Sequence, residues 1–329
     1  MVETDVHYPT DINLLLDAMR KVIFLIKQYS VKLGLPGWRQ ANQLYKKIKR
    51  LYRNAQKSKR SFQRSKRRKE MKEKEMKSAY KRYVAECSKL LERSKNTLAE
   101  TKEWSIKCIA IACEIKRYIN HGVRQIDQII RRVINGEKIP HEEKVFSLFE
   151  QHTEWISKGK AGIPQELGLN VCIVEDQYKF ILHHKVMEKI VDKDIAVPIT
   201  EETLVRYPDI ESMSFDKGFW SPQNKIKLEQ LLDKVILPKK GKLTSEERKT
   251  ESSEEYSYYR RKHASVESGI NALENHGLDR CLDHGINGFK RYIALGIVAR
   301  NLHNLGDMIQ KKEIDKRKKQ EKLKLLRSA

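Results

Sequence analysis

Apolar residues recur along the first half of the chain at steps of three and four. Leu44, Ile48, Leu51 and Ala55 make one such stripe, and Tyr80, Val84, Cys87, Leu91, Ser94 and Leu98 make a second. That spacing places each set on one face of a helix and predicts helices packed along shared seams by coiled-coil-like contacts. Neither glycine nor proline occurs from Trp38 to His121, which leaves few places for a loop. The periodicity continues through Ile106, Ile109, Cys113 and Ile115, then Ile126, Ile129, Ile130 and Val133, before Gly136 and Pro140 interrupt it.

The texture changes at SKGKAGIP, residues 157–164, where glycine and proline return. In LGLNVCIVEDQYKFILHHKVM, 167–187, two apolar runs flank the polar turn Glu175-Asp176-Gln177, which predicts a β-hairpin. DIAVPITEETLVRYPD, 194–209, reads as a strand end followed by a helix. IESMSFD, 210–216, reads as a short buried strand ending at Asp216. A helix over 224–232 and a strand over 234–238 complete a β–α–β unit, so the chain reads as α/β. From Ser257 it is helical again, with Val266, Ile270 and Leu273 on one face. A further helix runs from Ile286 to Gln310, burying Phe289, Ile293, Ile297 and Leu302. The charged segment 311–327 is expected to fray.

At the start, MVETDVHYPTD, Val2, Val6 and Tyr8 read as the end of a strand, and His7 to Asp11 as a turn into a helix for which Asp11 suits the N-cap.

Charge narrows the functional classes. The 329 residues carry a formal net charge of +23, an excess that suits a polyanion, nucleic acid before an anionic membrane surface. Residues 57–82 alone hold 13 Lys/Arg against 3 Glu. That run, which includes Arg67 and Arg68, suits a phosphate-tracking arm, and suits equally a solvated face. The five cysteines are dispersed without a CxxC pair, which fits reduced thiols rather than a zinc or disulfide framework. No stretch approaches the ~18 unbroken apolar residues of a membrane span, and a cytoplasmic location is expected.

Two carboxylates stand out by context. Asp216, in SFDKGFW, ends a strand of an α/β sheet, where ligands bind. It reads either as a metal ligand or as an ordinary strand-terminating Asp. Glu267 lies on a helix beside its apolar stripe, sharing a face with Arg260, His263, Asn271 and Glu274, and reads either as a cleft-facing ligand or as a surface residue with i±4 partners. Oxygen ligands of this type suit Mg²⁺ or Mn²⁺. His183 and His184 are neighbours on a strand, point to opposite faces and read as structural.

VHYPTDINLLLDAMR (6–20), LGLNVCIVEDQYKFILHHKVMEK (167–189), SFDKGFWSPQN (214–224), KHASVESGINALENHGLDRC (262–281) and GINGFKRYIALGIVARNLHNLG (285–306) carry a resemblance. So do HGVRQIDQIIRRVINGEKIPHEEKVFSLFEQHTEWISKGKAG (121–162) and LPKKGKLTSEE (237–247), so that nearly the whole chain is covered. It resembles bacterial insertion-sequence transposases of the DDE type, in the ISNCY-like group. The resemblance implies an RNase H-like catalytic core in which three carboxylates hold two divalent ions, Mg or Mn, for cleavage and strand transfer at insertion-sequence ends. The second carboxylate falls on Asp216 and the third on Glu267, as catalytic residues and metal ligands. Arg260, Arg261, Lys262 and His263 precede Glu267 and would meet DNA, unless they form a solvated basic face.

The implied organisation is a remnant of the first core strand at 1–10, a basic all-helical insertion at 11–158, the RNase H-like sheet and helices at 159–245, catalytic and packing helices at 246–310, and a charged tail at 311–329. DNA is the expected partner, as insertion-sequence ends and target, with a homo-oligomer on that DNA near the nucleoid and no membrane. The family's first catalytic Asp aligns just upstream of Met1. Asp5 is displaced from that position by several residues at roughly 3.3 Å each, too far to substitute. The expectation is therefore an N-terminally truncated, inactive form. Two alternatives are a non-catalytic basic nucleic-acid-binding protein and a structural coiled-coil partner.

Overall fold

A computed structural model describes residues 1–59, 66–100, 105–157 and 165–328. In chain order its elements are β1 (Val2–Thr4), α1 (Asp11–Lys32), α2 (Ala41–Lys59), α3 (Lys66–Ala99), α4 (Ile106–Ile129), β2 (Glu154–Ser157), β3 (Gln165–Glu175), β4 (Ile181–Met187), α5 (Asp192–Arg206), β5 (Ser212–Ser214), α6 (Pro222–Leu231), β6 (Lys234–Ile236), α7 (Ser245–Glu251), α8 (Glu254–His263), α9 (Ser265–Leu273), β7 (Arg280–Cys281) and α10 (Gly285–Ser328). The architecture is mixed α/β and mostly helical. It divides into a helical unit, Val6–Gln151, and a sheet-bearing unit made of Met1–Asp5 and His152–Ala329.

The helical unit is organised around α1. Thr10 caps this helix by accepting a hydrogen bond from the Asn13 amide at 3.3 Å, and Leu15, Ala18, Met19, Val22, Ile26 and Tyr29 are buried at helical spacing. Asp11 is the first helical residue and pairs with Arg132 at 2.7 Å, so the cap lies one residue earlier than the sequence implies. On α3, Tyr80, Val84, Cys87, Leu91, Ser94 and Leu98 are all buried, the stripe read from the pattern. On α4 the buried stripe is Cys108, Ala112, Ile115 and Ile119, whereas Ile106, Ile109 and Cys113 are exposed. Residues 106–115 are apolar on both faces, so the period is right but packing alone chooses the face. The basic run is split: α2 and α3 carry its flanks, and 60–65 lie outside the described residues.

In the sheet-bearing unit β3 is central. β1 pairs with it antiparallel (Val2↔Leu169, Glu3↔Gly168) and pairs parallel with β7. β2 runs antiparallel to the first half of β3, and β4 to the second half. The β3–β4 turn is held by Asp176, whose Oδ1 accepts from the amides of Tyr178 and Phe180 at 2.8 Å each. α10 packs on this sheet through Phe289, Ile293 and Ile297, against Val2, Leu169, Ile181 and Val186. β5 and β6 form a separate parallel pair.

Several expectations are corrected. β1 ends at Thr4, leaving Val6 and Tyr8 outside it. β2 is an element the pattern did not predict, and most of SKGKAGIP, 158–164, lies outside the described residues. DIAVP is helical rather than strand-like: α5 continues across Pro198 because Ile195, Ala196, Ile199, Thr200 and Thr203 bury one helical face, which outweighs the hydrogen bond proline cannot donate. β5 is a partly exposed strand, not a buried one. On α9 the buried residues are Gly269 and Leu273, and Ile270 is exposed. α10 runs on as helix through 311–328 instead of fraying, and Leu302 faces outward.

Candidate functional site

β5 delivers Asp216 two residues past its own end. Strand alternation puts Phe215 inward, where it is buried, and sends Ser214 and Asp216 to the opposite side. The Phe215 amide donates to the Ile236 carbonyl at 2.8 Å, which extends the pairing with β6 up to the site. A short 3₁₀ turn, Lys217–Phe219, follows. Gly218 in that turn admits the Asp192 carboxylate, since a β-carbon there would lie 2.5 Å from its Oδ2.

The C-terminal turn of α8 faces these residues. His263 bridges them, with Nδ1 2.7 Å from Ser214 Oγ and Nε2 3.1 Å from Asp216 Oδ1. Arg260, one turn earlier, donates to the Phe215 carbonyl at 3.2 Å and lies 3.8 Å from Asp216 Oδ1. The Asp216 side chain is 68% exposed while that of His263 is 14% exposed, so a sheltered imidazole holds an open carboxylate. The hydrogen bond from His263 draws the Asp216 carboxyl below the usual carboxylate range; the charges of His263 and Arg260 add to this, and partial burial opposes it.

Glu267 lies in the first turn of α9, four residues beyond His263, and is exposed. The two residues are on different helices, α8 ending at His263 and α9 beginning at Ser265, with Ala264 as the junction between them. Among the described residues no ion pair or hydrogen bond joins Glu267 to Asp216, and no group of three or more His, Cys, Asp or Glu side chains is arranged to hold a metal ion. Each carboxylate by itself offers hard oxygen donors, the type that suits Mg²⁺, which commonly takes one or two protein carboxylates and completes its shell with water and phosphate.

The basic residues before Glu267 have divided roles. Arg260 and His263 are spent on Phe215, Ser214 and Asp216. Arg261 bonds the Ser257 carbonyl at 3.3 Å, and the Lys262 ammonium sits over the Tyr258 ring at 4.5 Å. Arg67 and Arg68 are in the other unit, exposed in the first turn of α3. His183 bonds Glu202 at 3.0 Å, in keeping with a structural role.

Two features of the structure were not singled out by the sequence pattern. Ser214 is the other anchor of His263, and its signal is the i, i+2 spacing to Asp216 on one side of a strand. The second is α2, which has seven Lys/Arg and no acidic residue in its 19 positions. Lys46, Arg50, Arg53 and Lys57 fall at i, i+4, i+7 and i+11, are all exposed, and among the described residues form no ion pair. The denser run at 57–82 masks this stripe in the sequence.

Among the described residues no helix is long and apolar enough to cross a membrane. Comparison of the chain with family models, with curated proteins and with solved structures finds no match to any of them.

Proposed function

We propose that the chain is part of a DDE-type transposase that acts on DNA at insertion-sequence ends, with an RNase H-like core in its sheet-bearing unit. The observation that supports this most is the placement of Asp216. It is an open carboxylate beyond a parallel strand, gripped by His263 and Arg260 from the helix turn that leads to Glu267. Asp216 and Glu267 would hold a hard divalent cation, Mg²⁺ or Mn²⁺, which when bound activates the attacking hydroxyl and stabilises the leaving oxygen of a phosphodiester. The chain's own contribution is positional: His263 fixes the Asp216 rotamer and, with a smaller contribution from Arg260, holds that carboxyl below its usual range. Two-metal chemistry of this type uses three carboxylates. On this reading polypeptide 1–329 alone is proposed to bind DNA without cutting it.

A second reading, a metal-independent nucleic-acid-binding protein, is favoured by the acid-free basic stripe of α2. Mn²⁺ binding followed by electron paramagnetic resonance, in the presence of duplex DNA, separates the two. The transposase reading expects Asp216→Asn and Glu267→Gln each to weaken Mn²⁺ binding by about tenfold or more, at least what loss of an outer-shell partner costs. Unchanged Mn²⁺ binding in both variants would leave the plain binder. Strand cleavage by 1–329 that disappears in Asp216→Ala would overturn the proposed incompleteness.

A further inference from the structure

α10 has two apolar faces. One packs on the sheet through Phe289, Ile293 and Ile297, and ends with Asn301, whose side chain both accepts from the Ile181 amide at 2.9 Å and donates to its carbonyl at 3.0 Å. The other lies in solvent: Leu295 63%, Val298 54%, Leu302 63%, Leu305 46% and Ile309 51% exposed. These five are spaced by three, four, three and four residues, the seam of a two-stranded coiled coil, and they span about 21 Å of helix. Scattered exposed leucines are ordinary, but a seam in strict heptad register on a helix already anchored by its opposite face is not.

We infer that this face pairs with the same face of a second copy of the chain, antiparallel, about a two-fold axis near Leu302. Both the self-partner and the direction follow from the helix. Its spacing is nearly symmetric about Leu302, as an isologous interface requires. Between Lys311 and Arg327 the helix carries nine Lys/Arg against three Asp/Glu. Parallel pairing would set two such tails side by side, and antiparallel pairing sends them to opposite ends. Centring the axis on Leu302 places Leu295 against Ile309 of the second copy, and brings Glu313 of the second copy toward Arg291, which already pairs with Asp283 of its own chain at 2.5 Å. The small residues Ala299 and Gly306 flank the seam and let the backbones approach. This inference does not rest on the proposed function.

The test is sedimentation of the full chain across low to high micromolar concentration, in salt high enough to strip nucleic acid. The wild type is expected to form dimers, and Leu302→Glu to be monomeric. Because Leu302 is largely in solvent, Leu302→Glu should keep the helical circular dichroism of the wild type and melt where the wild type melts once diluted to monomer, so loss of dimer would not reflect unfolding. A monomeric wild type would overturn the proposal, as would a dimer that survives Leu302→Glu, since another protein or another surface would then be the partner. Direction is read by disulfide capture in a Cys113→Ser background. Leu302→Cys should link to itself across the axis and Lys312→Cys should not, whereas self-linking of Lys312→Cys would overturn the antiparallel arrangement.

Discussion

The imidazole of His263 meets the carboxylate of Asp216 at 3.1 Å across 47 residues of sequence, and its other nitrogen is held by Ser214. Gripped at both nitrogens, the ring cannot turn without losing a bond. Removing it in His263→Ala is expected to raise the Asp216 carboxyl back toward its ordinary range, as seen by the carbon-13 shift of that carboxyl against pH. The sign for stability follows from the direction of the shift. A carboxyl held low when folded contributes above its unfolded value, and the contribution is lost as pH falls toward the folded one. Asp216 is mostly exposed, so solvent screens this effect and it should be small.

Gly168 tests the β1–β3 pairing. A β-carbon there would lie 2.0 Å from the Val2 carbonyl oxygen and 2.8 Å from the Glu3 α-carbon, both backbone atoms with no freedom to swing aside. Gly168→Ala should cost about 1–3 kcal/mol, seen as a lower melting temperature with faster amide exchange over Val2–Thr4. An unchanged melting temperature would mean that β1 is not seated there.

Tyr29 is fully buried in the helical unit, and among the described residues its hydroxyl has no hydrogen-bond partner. Leaving such a group unpaired costs about 1–3 kcal/mol. Tyr29→Phe is therefore expected to be neutral or to stabilise by ~1 kcal/mol in urea unfolding, and a clear loss of stability would contradict this.

For the α2 stripe the prediction concerns salt. Replacing Lys46, Arg50, Arg53 and Lys57 by Gln should flatten the dependence of DNA affinity on salt by roughly 0.9 in log–log slope for each phosphate that the helix no longer neutralises. Fluorescence anisotropy over a salt series reads this directly. An unchanged slope would place the DNA-binding surface elsewhere.

What is legible in the sequence is whatever depends on local period. The β3–β4 hairpin follows from two apolar runs about Asp176, and the α3 stripe from spacing alone. What is not legible depends on which neighbour arrives. Ile106 and Cys108 are both apolar, and packing alone buries the second. Leu302 has the same character as Ile297, yet the sheet covers only one of them. β2 is hidden because EWIS is short and mixed, and becomes a strand only by pairing with β3. For Asp216 and Glu267, type and position in the chain are readable. The link of Asp216 to His263 and Ser214 is not, because it joins two elements far apart in sequence.

The side-chain oxygens of Thr4 and Thr153 are 2.9 Å apart, although 149 positions separate them. Chain leaves the sheet after β1 and comes back to it at β2 through the same doorway. An excursion that starts and finishes at one point can be lengthened, shortened or exchanged with little disturbance to the sheet it departs from. The helical unit is thus detachable in principle, with a short tether able to close the gap between Asp5 and His152. β1 itself is held by partners encoded far downstream, β3 on one side and β7 on the other.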